Sequence, residues 1–159
     1  MNPLRPEPTL AHWNGNMKNP VLSISFTGSY QNVSIVAVTV SAFAKTFGFD
    51  ETSTSRVELS FAEATNNVVQ HAYGDSQDKR IEVNISFEEG ALTITISDSG
   101  IAMDQKAFET DYDWDNLDPE QESTWNESGR GMQIIKDMMD SVEYHSINDI
   151  NTLQLKKYL

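Results

Sequence analysis

Between Arg80 and Gly100 the chain reads RIEVNISFEEGALTITISDSG, two runs in which apolar and polar residues alternate. Ile81, Val83, Ile85 and Phe87 share one side of the first run, and Leu92, Ile94 and Ile96 share one side of the second. A period of two is that of a half-buried strand, and the intervening EEG reads as a hairpin turn. A hairpin with one apolar face has to be covered by a second layer, which narrows the folds open to this chain more than any other feature.

The flanking sequence supplies that layer. PVLSISF (20–26) alternates like a first strand, with Leu22, Ile24 and Phe26 in phase. SIVAVTVSAFAKTFGF (34–49) is expected to be a helix whose apolar residues Ile35, Val38, Ala42 and Phe43 recur at helical spacing. Asp50 or Thr52 can cap a second helix running to about Tyr73, where Gly74 is a stop signal. Residues 102–128 are dense in Asp and Glu and show no sustained period, which marks a functional or mobile loop. A helix over about 131–140 and a strand follow, and NTLQLKKYL closes the chain as a last strand after an NDIN turn. The first 18 residues, rich in Pro and Asn, are expected to be a loosely ordered extension to one domain over 19–159. The order predicts an α+β fold: a two-layer α/β sandwich whose mixed, mostly antiparallel sheet carries helices on one face. A doubly wound parallel sheet would need stricter alternation of strands and helices.

Composition excludes several functions. A net charge of −13 disfavours sequence-independent nucleic-acid binding and docking on an anionic membrane, since both need Lys and Arg. A basic protein partner suits it better. There is no cysteine, so disulfides and thiolate metal sites are ruled out, and the three histidines are scattered. No apolar run approaches the roughly 20 residues of a membrane span, and the N-terminus lacks a hydrophobic signal core. A soluble, cytoplasmic protein is expected.

Three constellations bear on chemistry. In ELSFAEATNNVVQHAY (58–73) and the residue before it, Val57, Phe61, Ala64, Val68 and Ala72 form an apolar stripe, and Glu63, Asn67 and His71 line up beside it at steps of four. A carboxylate and a carboxamide so placed can enter a cleft, the one to accept a proton, the other to hold a hard cation such as Mg²⁺; a polar helix flank shows the same spacing. In TISDSGIA, period two puts Asp98 on the same inward side as Leu92, Ile94 and Ile96, with Gly100 allowing a tight turn and close backbone approach. Such an Asp can accept a hydrogen bond from an exocyclic amine, or simply cap the turn. In ESGRGMQII, Gly129 and Gly131 open a helix whose free N–H groups suit a phosphate, although a structural glycine turn reads alike. Neither the P-loop nor the G-x-G-x-x-G spacing is present.

The series E-x-x-x-N on a helix, D-x-G after a hairpin, a long loop and G-x-G opening a helix resembles the GHKL ATP-binding superfamily. Within it the chain is similar to the anti-sigma-factor serine kinases of bacterial partner-switching systems, from about residue 20 to the C-terminus. That resemblance implies ATP held between the helical layer and a lid, here about 102–128. It implies Glu63 as general base, Asn67 as Mg²⁺ ligand and Asp98 as acceptor for the adenine amino group. Gly100 would shape the floor beneath the base, Gly129 and Gly131 would admit the phosphates, and Thr152 would support the adenine contact. Ala102 stands where the family shows the second glycine of D-x-G-x-G, and the first helix lacks a basic residue near its start. The implied activity is transfer of the ATP γ-phosphate to a serine of a STAS-domain anti-anti-sigma factor. A sigma factor or another regulator would be the sequestered partner, and the family tends to form homodimers. A non-catalytic nucleotide-binding or protein-sequestering module of the same fold is the alternative.

Overall fold

The computed structural model describes residues 22–76, 78–109 and 130–159. The expected extension (1–18) and the expected lid beyond residue 109 lie outside these. Strand β1 (Leu22–Thr27) leads into helices α1 (Tyr30–Thr46) and α2 (Glu51–Asn67). The hairpin β2 (Arg80–Glu88) and β3 (Ala91–Asp98) follows, then the short helix α3 (Gln105–Glu109), within the stretch expected to be all loop. Helix α4 (Arg130–Met138) and a second hairpin, β4 (Ser141–Ile147) and β5 (Ile150–Tyr158), complete the order.

The sheet runs β1-β2-β3-β5-β4, and all four pairings are antiparallel. Both hairpins turn on two left-handed residues, Glu89 (φ 52°) with Gly90 (φ 78°) and Asn148 (φ 52°) with Asp149 (φ 61°). Such turns match the right-handed twist of the strands they join. Across the sheet Val83 faces Ile96 and Ile96 faces Leu153, while Ile85 faces Ile94 and Ile94 faces Leu155. These side chains are buried under the helices. A one-residue slip would expose each of them, at roughly 1.5–3 kcal/mol apiece, so the apolar pattern holds the register. The same register puts Asp98 directly opposite Asn151.

Helix α2 packs between α1 and α4. Asp50, not Thr52, caps it, accepting the Ser53 N–H at 2.7 Å. Val57, Phe61 and Ala64 are buried as the stripe requires. Helix α1 differs from expectation. It starts at Tyr30 behind the cap Ser29 and buries Val33, Val36, Ala37, Val40 and Ala44. Ile35 and Val38, expected on the core face, are each 61% exposed. The helix is apolar almost all round, so two stripes fit helical spacing, and the packing partners select between them.

The chain also does not continue as a regular α-helix to Tyr73. Val68–Ala72 forms a π-helical turn, in which the Tyr73 N–H donates to the Val68 carbonyl at 2.9 Å. One extra residue in the turn breaks the four-step line after Asn67 and leaves His71 exposed rather than against the apolar stripe.

Candidate functional site

A cavity of about 320 Å³ lies between α2, the sheet and the segment after β3. Ala64, Asn67, Val68, His71 and Ala72 line it from the helix, and Ile96, Asp98, Asn151 and Leu153 from the sheet. Residues 101–104, Gly131, Met132 and Tyr144 close the remaining sides. The volume is at the low end of small-molecule sites, and apolar walls with a few convergent polar groups are their usual chemistry.

At the sheet end, period two carries Asp98 inward, where it is 8% exposed. Its Oδ1 accepts from the Gly100 N–H and the Asn151 Nδ2, both at 2.8 Å. Burial pushes the carboxyl above its ordinary pKa, partly countered by the hydrogen bonds from Asn151 and Gly100 and by the charge of Lys79. Both of these bonds fall on Oδ1, which leaves Oδ2 for a ligand donor.

Gly100 is pressed onto the π-helical turn. A Cβ there would stand 2.3 Å from the Ala72 carbonyl oxygen and 2.6 Å from its carbon. The next residue, Ile101, donates its N–H to the same oxygen at 2.9 Å. The widened turn thus presents a carbonyl on which the D-x-G corner is hung. The close approach that glycine permits is to the chain's own backbone, with Asp98 held at the other side of the corner. Gly100→Ala should therefore destabilise the fold by about 1–3 kcal/mol in denaturant titration and weaken ligand binding at Asp98, because the clash is with backbone that cannot swing away.

At the opposite end, Gly131 lies in the first turn of α4. A Cβ on it would approach Glu63 Oε2 to 3.0 Å and both Asn67 Oδ1 and Nδ2 to 3.5 Å. The fold therefore brings Glu63, Asn67 and Gly131 together, with Asn67 and Gly131 on the cavity wall and Glu63 beside them but not on it. Gly129 lies outside the described residues. Among the described residues no group of three or more His, Asp or Glu could cage a metal. A Mg²⁺ on Asn67 would complete its shell with phosphate oxygens and water, as this ion commonly does.

The structure does not bring Thr152 to the cavity. It faces Ser97 on the outer side of the sheet, their hydroxyl oxygens 3.4 Å apart. The inward position is Asn151, 2% exposed. Sequence reasoning passed over Asn151, although it is in phase with Leu153 and Leu155, and alternation alone could have found it. Tyr144 was also missed; its hydroxyl accepts the Met103 N–H at 2.8 Å.

A cavity floored by an antiparallel sheet, with a recessed carboxylate at one end and a glycine in the first turn of a helix at the other, is the arrangement expected of a histidine kinase-like (GHKL) ATPase domain. The chain belongs to that group: the family model described as histidine kinase-like ATPase domain matches residues 26–157. Among curated relatives, the serine-protein kinase RsbW of Bacillus velezensis is 28% identical over 80% of this chain and 78% of its own length. An anti-sigma F factor of Geobacillus sp. is 27% identical over 87% of this chain and 92% of its own. Two solved structures share the fold, each with a TM-score of 0.60. The RsbU and RsbW domains of a Mycobacterium tuberculosis protein match at 16% identity over 87% of this chain, which spans only 32% of that one. The SiaB–SiaC complex from Pseudomonas aeruginosa matches at 11% identity over 89% of this chain and 91% of that one. No described helix is long and apolar enough to cross a membrane.

Proposed function

We propose that the chain is an ATP- and Mg²⁺-dependent protein serine kinase and anti-sigma-type regulator that phosphorylates a STAS-domain antagonist. The observation that carries this reading is the meeting of Glu63, Asn67 and Gly131 at one end of a cavity whose other end holds Asp98. The names of the relatives, a serine-protein kinase and an anti-sigma factor, point the same way.

Asp98 accepts the adenine amino group on Oδ2, and Ile96, Met132 and Leu153 enclose the base. The α4 N-terminus, open at Gly131, faces the phosphates with backbone N–H groups and the positive end of the helix dipole. Bound Mg²⁺–ATP supplies the transferable phosphoryl group and the metal charge that offsets it. Asn67 offers its side-chain oxygen to the metal. Glu63 takes the proton from the attacking serine hydroxyl of the partner, leaving phosphoserine and ADP. Such transfers depend mainly on positioning and charge compensation, which these groups provide without a covalent intermediate.

The test is incubation of the chain with γ-labelled ATP, Mg²⁺ and a cognate STAS-domain protein. Label on a serine of the partner, lost when that serine is replaced by Ala, is the expected result. Tight complex formation with no label transfer would instead identify a sequestering module without kinase activity.

A further inference from the structure

Asn151 uses its whole hydrogen-bonding capacity. Its Nδ2 donates to Asp98 Oδ1 at 2.8 Å and to the Gly100 carbonyl at 3.1 Å. Its Oδ1 accepts from the Ser146 hydroxyl at 2.8 Å and the Tyr144 hydroxyl at 3.2 Å. The orientation of the amide is determined, because a backbone carbonyl can only accept and must face the NH₂ side. The Tyr144 hydroxyl is directional for the same reason: it accepts from the Met103 N–H at 2.8 Å, so its own proton goes to Asn151. A single chain of bonds thus runs from Met103, on the segment that closes the cavity after β3, through Tyr144 and Asn151 to Asp98.

We propose that Asn151 is a specificity-determining positioning residue: it locks Asp98 as an acceptor for a base bearing an exocyclic amine and, through Tyr144, couples that lock to the backbone at Met103. With Oδ1 engaged by two donors, ionised Asp98 presents Oδ2 in one direction as a hydrogen-bond acceptor. A purine with an amino group at that point satisfies it; one with a carbonyl there places acceptor against acceptor. A buried polar group left unpaired discriminates far more strongly than a missing apolar contact. The inference rests on the nucleotide-binding reading of the cavity.

Two variants test it, Asn151→Leu, which keeps the size and removes all four bonds, and Tyr144→Phe, which removes one hydroxyl and keeps the ring packed on Phe108, 5.8 Å away between centroids. Calorimetric titration of ATP and GTP without a protein substrate, and amide exchange at Met103 in nucleotide-free protein, are the readouts. Asn151→Leu should weaken ATP about tenfold or more and shrink the ATP-over-GTP preference by a similar factor. Met103 exchange should speed at least tenfold in both variants, although Asn151 bonds to Met103 only through Tyr144. Tyr144→Phe leaves Asp98 and its two donors in place, so its Met103 result stands even if Asn151→Leu does not fold. An unchanged ATP-to-GTP ratio in folded Asn151→Leu, or unchanged Met103 exchange in Tyr144→Phe, overturns the inference while leaving the nucleotide site intact. Wild type that binds neither ATP nor GTP overturns both.

Discussion

Replacing Glu63 with Gln is expected to lower phosphoryl transfer by a factor of about 10²–10⁴, the usual contribution of a positioned general base, with ATP affinity within about threefold of wild type. The split follows from where the residue sits. Glu63 is absent from the cavity wall, yet its Oε2 is the nearest atom to the Gly131 position, with Asn67 just beyond. A group behind the phosphate end, and not around the base, should act on the transfer step and not on binding. Single-turnover label transfer measured beside calorimetric ATP binding checks this. Equal losses in both would show that Glu63 holds the site together rather than serving as the base.

Asp98→Asn carries the second large effect, a loss of ATP affinity on the order of 100-fold, as expected when a hydrogen bond to a buried charge is removed. An amide there keeps its oxygen toward the two donors, the Gly100 N–H and Asn151, so its NH₂ faces the ligand's amino group, donor against donor. The wild-type carboxyl adds a pH signature. Burial raises its pKa above the ordinary carboxylate value despite help from Asn151 and Gly100. The folded chain therefore binds this proton more tightly than the unfolded chain does. In the window from the ordinary carboxylate pKa up to the raised one, this group alone makes stability rise as pH falls. Adenine recognition needs the ionised form, so ATP affinity should move the opposite way, falling as pH drops through the raised pKa. Opposite slopes of thermal stability and ATP affinity in that window, both flattened in Asp98→Asn, are the expected pattern. A pH-independent affinity in the wild type would remove Asp98 from base recognition.

Much of this site was legible in the chain. The strict alternation from Ile81 to Phe87 and from Leu92 to Ile96 puts the apolar side chains of β2 and β3 on one face and carries Asp98 inward with them, whatever lies above. The E-x-x-x-N spacing places Glu63 and Asn67 on one side of α2 for the same geometric reason. What was not legible falls where two local patterns fit equally well. Helix α1 offers two apolar stripes, and only contact with the sheet and α2 selects the one through Val33, Val36, Ala37 and Val40. The order NTLQL likewise permits either polar residue to serve the base, and resemblance to a family favours Thr152, but pairing with β3 turns Asn151 in and Thr152 out.

The sequence by itself determined the two-layer fold, the inward carboxylate and the helix bearing a potential base and metal ligand, because these depend on the strand and helix periods that any local stretch expresses. The tertiary structure alone decided that the helix relaxes into a π-helical turn at Val68–Ala72, that the Ala72 carbonyl takes the D-x-G corner, and that Asn151 and Tyr144 tie Asp98 to Met103. Each of the ties at Ala72, Asn151 and Tyr144 joins residues apart in the chain through single hydrogen bonds. A bond of that kind leaves no periodic trace in the sequence, since one polar residue in the right register is enough to make it.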